Sequence, residues 1–135
     1  DGRGDQPAST SAGARAILVV DDSQVLLYLA RRALELEGFD VLTAADGPTA
    51  LSLAREHSCR VAAAVLDLSM PGMSGFEAYD ELQQICPGLK VLVTSGWDEE
   101  DVYKRFEGRE LAAYIRKPYG AEELTQTIRF VVGEG

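Results

Sequence analysis

Histidine and cysteine are scarce in this sequence, and that scarcity removes whole classes of chemistry. His57 is its one histidine, so a histidine-based catalytic site or a zinc cluster has too few ligands. Its two cysteines, Cys59 and Cys86, lack metal-ligand spacing and read as buried or half-buried thiols of a reducing compartment. Long apolar runs are missing too, which excludes a membrane-spanning helix from this segment. No basic region followed by an apolar stretch marks a signal peptide. Positive charge is in deficit: 13 Lys and Arg stand against 22 Asp and Glu, a formal net charge of −9. Nucleic acid binding by this segment is therefore disfavoured, because phosphate backbones need basic patches. An initiator Met is also lacking, and the reading is a piece of a longer protein.

What is present is enough for one core. The length is 135 residues, 46% of them hydrophobic, which suits one domain. Residues 1–15 are rich in Gly, Ser, Ala, Asp and Pro and have linker composition. Regular patterning follows over residues 16–132, and 133–135 form a short tail. Ala16–Val20 is an apolar run fit for a strand buried on both faces. Leu26, Leu29, Ala30, Ala33 and Leu34 recur at helical spacing, with Gly38 as the stop. Val41–Thr43 is the second strand, and Asp46-Gly47-Pro48 opens the next helix with Asp46 as N-cap. Val61–Leu66 follows, then Ser74 and Glu77 as a capping box ahead of Phe76, Tyr79 and Leu82. Val91–Val93, a helix capped by Asp98 and ending near Gly108, a strand at Ala112–Ile115, and a helix carrying Leu124, Ile128, Val131 and Val132 complete the pattern. Five strand and helix units in strict alternation predict a doubly wound α/β fold with a parallel sheet and helices on both faces.

In such a fold the ligand lies beyond the carboxyl ends of the strands. Asp21 and Asp22 follow the first strand and Asp67 ends the third. Ser95, then Gly96, end the fourth, and Lys117, then Pro118, follow the fifth. A parallel sheet turns all of them toward one crevice. Two like charges ~4 Å apart cost about 4 kcal/mol at an effective dielectric near 20. Three clustered carboxylates therefore take up protons or bind a cation. Oxygen ligands without His or Cys favour Mg²⁺ or a similar hard ion such as Mn²⁺. Lys117 offers charge to a phosphate oxygen and Ser95 a hydrogen bond. The backbone N–H groups of Leu68 and Gly96 are candidates to complete the cradle.

The stretches Ile17-Leu-Val-Val-Asp-Asp22, Leu66-Asp-Leu-Ser-Met-Pro-Gly-Met-Ser-Gly75, Val93-Thr-Ser-Gly96 and Tyr114-Ile-Arg-Lys-Pro118 resemble the receiver domain of two-component signalling. The resemblance covers about residues 16–132. It implies a flavodoxin-like sheet of strand order 2-1-3-4-5. It also implies a phosphoacceptor at Asp67, with Mg²⁺ held by Asp21, Asp22, Asp67 and the Ser69 carbonyl. Lys117 then pairs with the phosphoryl group through a chain that continues by a cis bond to Pro118. Ser95 is the switch hydroxyl and Tyr114 the aromatic side chain that follows it. Thr94 stands one residue earlier, but the family's hydroxyl directly precedes a small residue, which favours Ser95. Ser in place of the commoner Thr, followed by Gly, departs from the usual pattern. Ser69 and Trp97 occupy positions that tune the phosphoryl lifetime in this family.

The implied partner is a histidine kinase or a histidine phosphotransfer protein. The implied output face comprises the fourth helix, fifth strand and fifth helix, which also serves homodimers. A bacterial-type cytoplasmic setting follows, either as a stand-alone regulator or as the receiver of a hybrid histidine kinase. The implied role is that of a self-modifying phosphoacceptor and not a turnover enzyme. The alternatives are a receiver-like interaction module without phosphorylation, a phosphatase of the haloacid dehalogenase type, and a flavodoxin-like cofactor protein. The phosphatase requires Asp-x-Asp after the first strand, where Asp21-Asp22-Ser23 stands. The cofactor protein requires a phosphate loop there, which the sequence lacks.

Overall fold

The computed structural model describes residues 16–57 and 60–133. The linker reading of 1–15, the thiol of Cys59 and the last two residues of the tail lie outside them. Five strands, β1 (Ala16–Val20), β2 (Asp40–Ala44), β3 (Val61–Asp67), β4 (Lys90–Ser95) and β5 (Ala113–Arg116), form one sheet. Its order is β2-β1-β3-β4-β5 and every pairing is parallel. Helices α1 (Gln24–Leu36), α2 (Gly47–Glu56), α3 (Gly75–Ile85), α4 (Glu99–Arg105) and α5 (Ala121–Val132) alternate with the strands.

Period-two alternation in the central strands builds two cores, one on each face of the sheet. Ile17, Val19, Ala63, Val65 and Leu92 face α1 and α5, where they meet Leu27, Leu34, Leu124 and Ile128. Leu18, Val20, Ala64, Leu66 and Val93 face the other way, toward Leu51, Ala78, Leu82, Val102 and Phe106 of the remaining helices and their ends. The strands thus sit between two apolar layers, and their carboxyl ends open at one edge.

Local chemistry sets the helix starts. Ser23 accepts from the Leu26 N–H, Asp46 accepts from Thr49 at 2.7 Å, and Ser74 with Glu77 closes a reciprocal capping box. Asp98 stands at the N-cap of α4 but makes no capping hydrogen bond. Its carboxylate turns instead to the Arg116 guanidinium, 2.8 Å away. The same helix ends at Arg105, short of Gly108, whose φ of +87° belongs to a turn. In α1 the inward stripe is Leu27, Ala30 and Leu34, while Leu29 is 53% exposed. Two residues turn a helix by about 200°, so Leu29 cannot share a face with Leu27. Val25, Tyr28 and Leu36 of α1 are likewise exposed.

The turn between β3 and α3 is fixed by close packing. A Cβ on Gly75 would lie 2.4 Å from Leu68 Cδ2 and 3.1 Å from Leu68 Cα. One on Gly47 would meet the Met73 sulfur at 2.7 Å. Backbone cannot withdraw as a thioether can, so the two glycines differ in tolerance. Gly75→Ala is expected to cost about 1–3 kcal/mol, and Gly47→Ala less, in urea unfolding at equal m-value. Arg109 braces the far end of this layer. It makes a bidentate pair with Asp80 at 2.8 and 2.9 Å and lies over the Phe76 ring. That pair holds the Asp80 carboxyl below its usual range.

Candidate functional site

Strand register carries the site residues to one edge. Val20 pairs with Leu66, Asp67 with Thr94, and Ser95 with Arg116. Residues just past these pairs therefore share one level at the carboxyl end of the sheet. There Asp21, Asp22 and Asp67 each offer an oxygen, all within 4.8 Å of one another. Asp21 and Asp67 are 2% and 1% exposed, and Asp22 is open to solvent.

Each buried carboxylate is oriented by the backbone. Asp21 Oδ1 accepts from the Ser23 N–H at 2.9 Å, and Asp67 Oδ1 accepts from the Ser69 N–H at 2.9 Å. Their other oxygens face Lys117, whose Nζ lies 3.0 Å from Asp21 Oδ2 and 3.1 Å from Asp67 Oδ2. The contact to Asp67 is an ion pair by distance, but Asp67 Oδ2 has no hydrogen bond of good geometry. Burial pulls the Lys117 pKa down, but hydrogen bonds and attraction from Asp21 and Asp67 outweigh it and raise the pKa overall. The ammonium is therefore a fixed charge. The Lys117–Pro118 peptide is cis.

Ser95 is fully buried at the end of β4. Its Oγ accepts from the Trp97 N–H at 3.0 Å and lies 3.2 Å from the Tyr114 hydroxyl. That hydroxyl's one proton is shared between the carbonyls of Ser95, at 3.1 Å, and of Trp97. The space beside Gly96 is open: a Cβ there would have no neighbour within 4 Å. The Leu68 N–H is not available to a ligand, because it donates to the Thr94 carbonyl at 3.0 Å and extends the β3 and β4 ladder. The sequence reading of Leu68 as part of a cradle is corrected on that ground.

One aromatic neighbour escaped the sequence reading. Tyr119 is half-buried, and its phenol is pushed up by burial and then by the charges of Asp21 and Asp67, with Lys117 opposing. Its place two residues beyond Lys117 was a weak signal, since no spacing rule singles it out.

Three carboxylates, a buried hydroxyl and an ammonium thus meet at the carboxyl edge of a doubly wound parallel sheet, the place where ligands bind in this architecture. The family model of the response regulator receiver domain matches residues 17–129. The probable transcriptional regulatory protein TcrX of Mycobacterium tuberculosis is 36% identical over 115 residues, which are 84% of this chain and 47% of TcrX. Chemotaxis protein CheY4 of Vibrio cholerae has a solved structure similar to this one, with a TM-score of 0.80 at 27% identity, over 89% of this chain and 99% of that one. The receiver domain of the hybrid histidine kinase CckA is similar at a TM-score of 0.73 and 26% identity, over 87% of this chain and 98% of that one. The chain belongs to the response regulator receiver domain family, and its function is that of a phosphoacceptor in two-component signalling. It spans about half the length of the TcrX-like regulators it matches. Among the described residues no helix is long and apolar enough to cross a membrane.

Proposed function

We propose that Asp67 is the phosphoacceptor and that the site works with Mg²⁺, held by Asp21, Asp22, Asp67 and the Ser69 carbonyl. The observation that carries this reading is the buried Asp67 carboxylate, one oxygen held by backbone and the other beside Lys117 without a well-directed hydrogen bond. A buried, under-satisfied carboxylate oxygen in a ring of three acids suits a hard divalent ion. When bound, Mg²⁺ supplies positive charge that offsets the carboxylates and steadies a phosphoryl oxygen.

The donor is a phosphohistidine on a histidine kinase or histidine phosphotransfer protein. An Asp67 carboxylate oxygen forms a bond to phosphorus in line as the phosphorus–nitrogen bond breaks, and the imidazole leaves to take a proton from solvent. The product is an acyl phosphate, which water later hydrolyses. Lys117 offsets the charge on the transferring oxygens. Ser95 donates its hydroxyl to a second oxygen, and the open space beside Gly96 leaves room for the group. The domain is thus both substrate and catalyst of its own modification.

Output runs through Ser95 and Tyr114, whose hydroxyls already lie 3.2 Å apart. A phosphoryl group that draws Ser95 toward Asp67 changes what the tyrosine hydroxyl holds, and so changes the face of α4, β5 and α5. That face meets the partner or a second copy. The parent protein is a cytoplasmic regulator or hybrid kinase of bacterial type. An interaction module without phosphorylation has no need to gather three carboxylates and set a lysine against two of them.

Incubation of the chain with Mg²⁺ and acetyl phosphate tests the reading through the intact mass. A gain of one phosphoryl group, absent in EDTA, is the expected result. A folded chain that stays unmodified with both acetyl phosphate and phosphohistidine donors overturns it.

A further inference from the structure

Trp97 is held from three sides, and one of the three has no part in the site described above. Its N–H donates to Ser95 Oγ at 3.0 Å, and its carbonyl accepts from the Tyr114 hydroxyl. Its ring lies under the Arg105 guanidinium, whose central carbon is 4.7 Å from the ring centroid. A cation over an indole face is attracted by the ring quadrupole, and Trp is the best of the aromatic partners. Arg105 is the last residue of α4, so this contact folds the far end of the helix back onto the turn that precedes it. The neighbouring pair of Asp98 and Arg116 is 66% and 60% exposed and adds little, because water screens it. Arg105 is exposed as well, but the ring it covers is half-buried, and the backbone N–H of the same Trp97 is hydrogen-bonded to the switch hydroxyl itself.

We propose that Arg105 is a positioning residue for phosphotransfer: by clamping the Trp97 ring to the end of α4 it fixes the turn of residues 95–97 that carries the Ser95 hydroxyl. The proposal rests on Ser95 being the hydroxyl that meets the phosphoryl group. Ser95 Oγ has a fixed acceptor geometry toward the Trp97 N–H, so a turn that wanders carries the hydroxyl with it. Coupling of this kind is reciprocal. A partner that shifts the end of α4 alters the acceptor site, and a phosphoryl group that moves Ser95 alters the grip on α4.

Trp97 is the sole tryptophan of the chain, so tryptophan emission reports the surroundings of this one side chain. In the full chain, Arg105→Ala is expected to raise acrylamide quenching of that emission about twofold and to slow phosphorylation by acetyl phosphate and Mg²⁺ about threefold, in keeping with a half-exposed cation–π contact. Arg105→Lys keeps a cation over the ring and is expected to restore most of both. Trp97→Ala is expected to slow phosphorylation to the same extent, and Arg105→Ala added to it to do nothing more. Unchanged quenching in Arg105→Ala, or effects of the two substitutions that multiply, overturns the clamp. If the parent chain accepts no phosphoryl group, the proposed function fails on its own, and the quenching comparison still decides the clamp.

Discussion

Asp67→Asn is expected to gain no phosphoryl group from acetyl phosphate under conditions that modify the parent chain, and yet to fold as well as the parent. The chemical half follows from the nucleophile. An amide is neutral and does not form an acyl phosphate, so the intact mass stays that of the unmodified chain. Asp21 and Asp22 lie within the same ring of oxygens, yet Asp22 is solvent-exposed, and of the three only Asp67 keeps a buried oxygen without a hydrogen bond. Modification that persists in the variant at the parent's rate would assign the acceptor to one of them. The stability half follows from the charges. Asp67 and Asp21 are both buried, and among the described residues Lys117 is the one cation paired with them. Asn keeps the oxygen that accepts from the Ser69 N–H and removes one of the two buried negative charges. Asp21 remains to pair with the ammonium at 3.0 Å. Losing one ion pair and one repulsion together is expected to leave unfolding free energy within about 1 kcal/mol of the parent. A collapse of several kcal/mol in urea would mean that Asp67 is there to hold the fold.

Much of this was legible before any coordinates, for reasons that differ by element. Val61–Leu66 and Ala16–Val20 were plain because a strand buried on both faces must be apolar at every position. Asp46 and Ser74 were plain because an N-cap acts over three residues of local sequence, which no distant contact needs to complete. The convergence of Asp21, Asp67 and Lys117 was legible because a parallel sheet places all strand ends on one side. Where the reading failed, the deciding partner lies far away in sequence. Asp98 holds the N-cap position of α4 as read, but its side chain makes no capping bond and pairs instead with Arg116 of β5. The Leu68 N–H is lost to a ligand because Thr94, on β4, takes it. Leu29 recurs at helical spacing with Ala30, Ala33 and Leu34, but an apolar stripe of several leucines leaves the helix rotation open, and packing against α5 and the sheet turns Leu29 outward. Arg105 gave no signal at all, since only the fold brings the end of α4 back over Trp97.

Lys117→Met is expected to move two quantities in opposite directions, which separates a chemical role from a structural one. Phosphoryl transfer should slow by about 10²–10³, the usual cost of removing one preorganised stabiliser of developing negative charge. Binding of Mg²⁺ in the absence of donor should instead tighten, by about tenfold, because an ammonium beside the same oxygens repels an incoming cation. Methionine keeps the apolar stem and removes only the charged end, so the packing beneath it is retained. The metal-free variant should lose stability, because Asp21 and Asp67 keep their burial without their cation, and breaking such a pair from one side costs about 3–5 kcal/mol. Mg²⁺ replaces that charge, so the rise in Tm on adding it should be larger in the variant than in the parent. Calorimetric titration of Mg²⁺ and thermal unfolding with and without the ion measure both terms, and the intact-mass time course measures the transfer. If Mg²⁺ affinity falls along with the transfer rate, Lys117 serves to hold the carboxylates in place, and the charge it carries is not what steadies the transferred group.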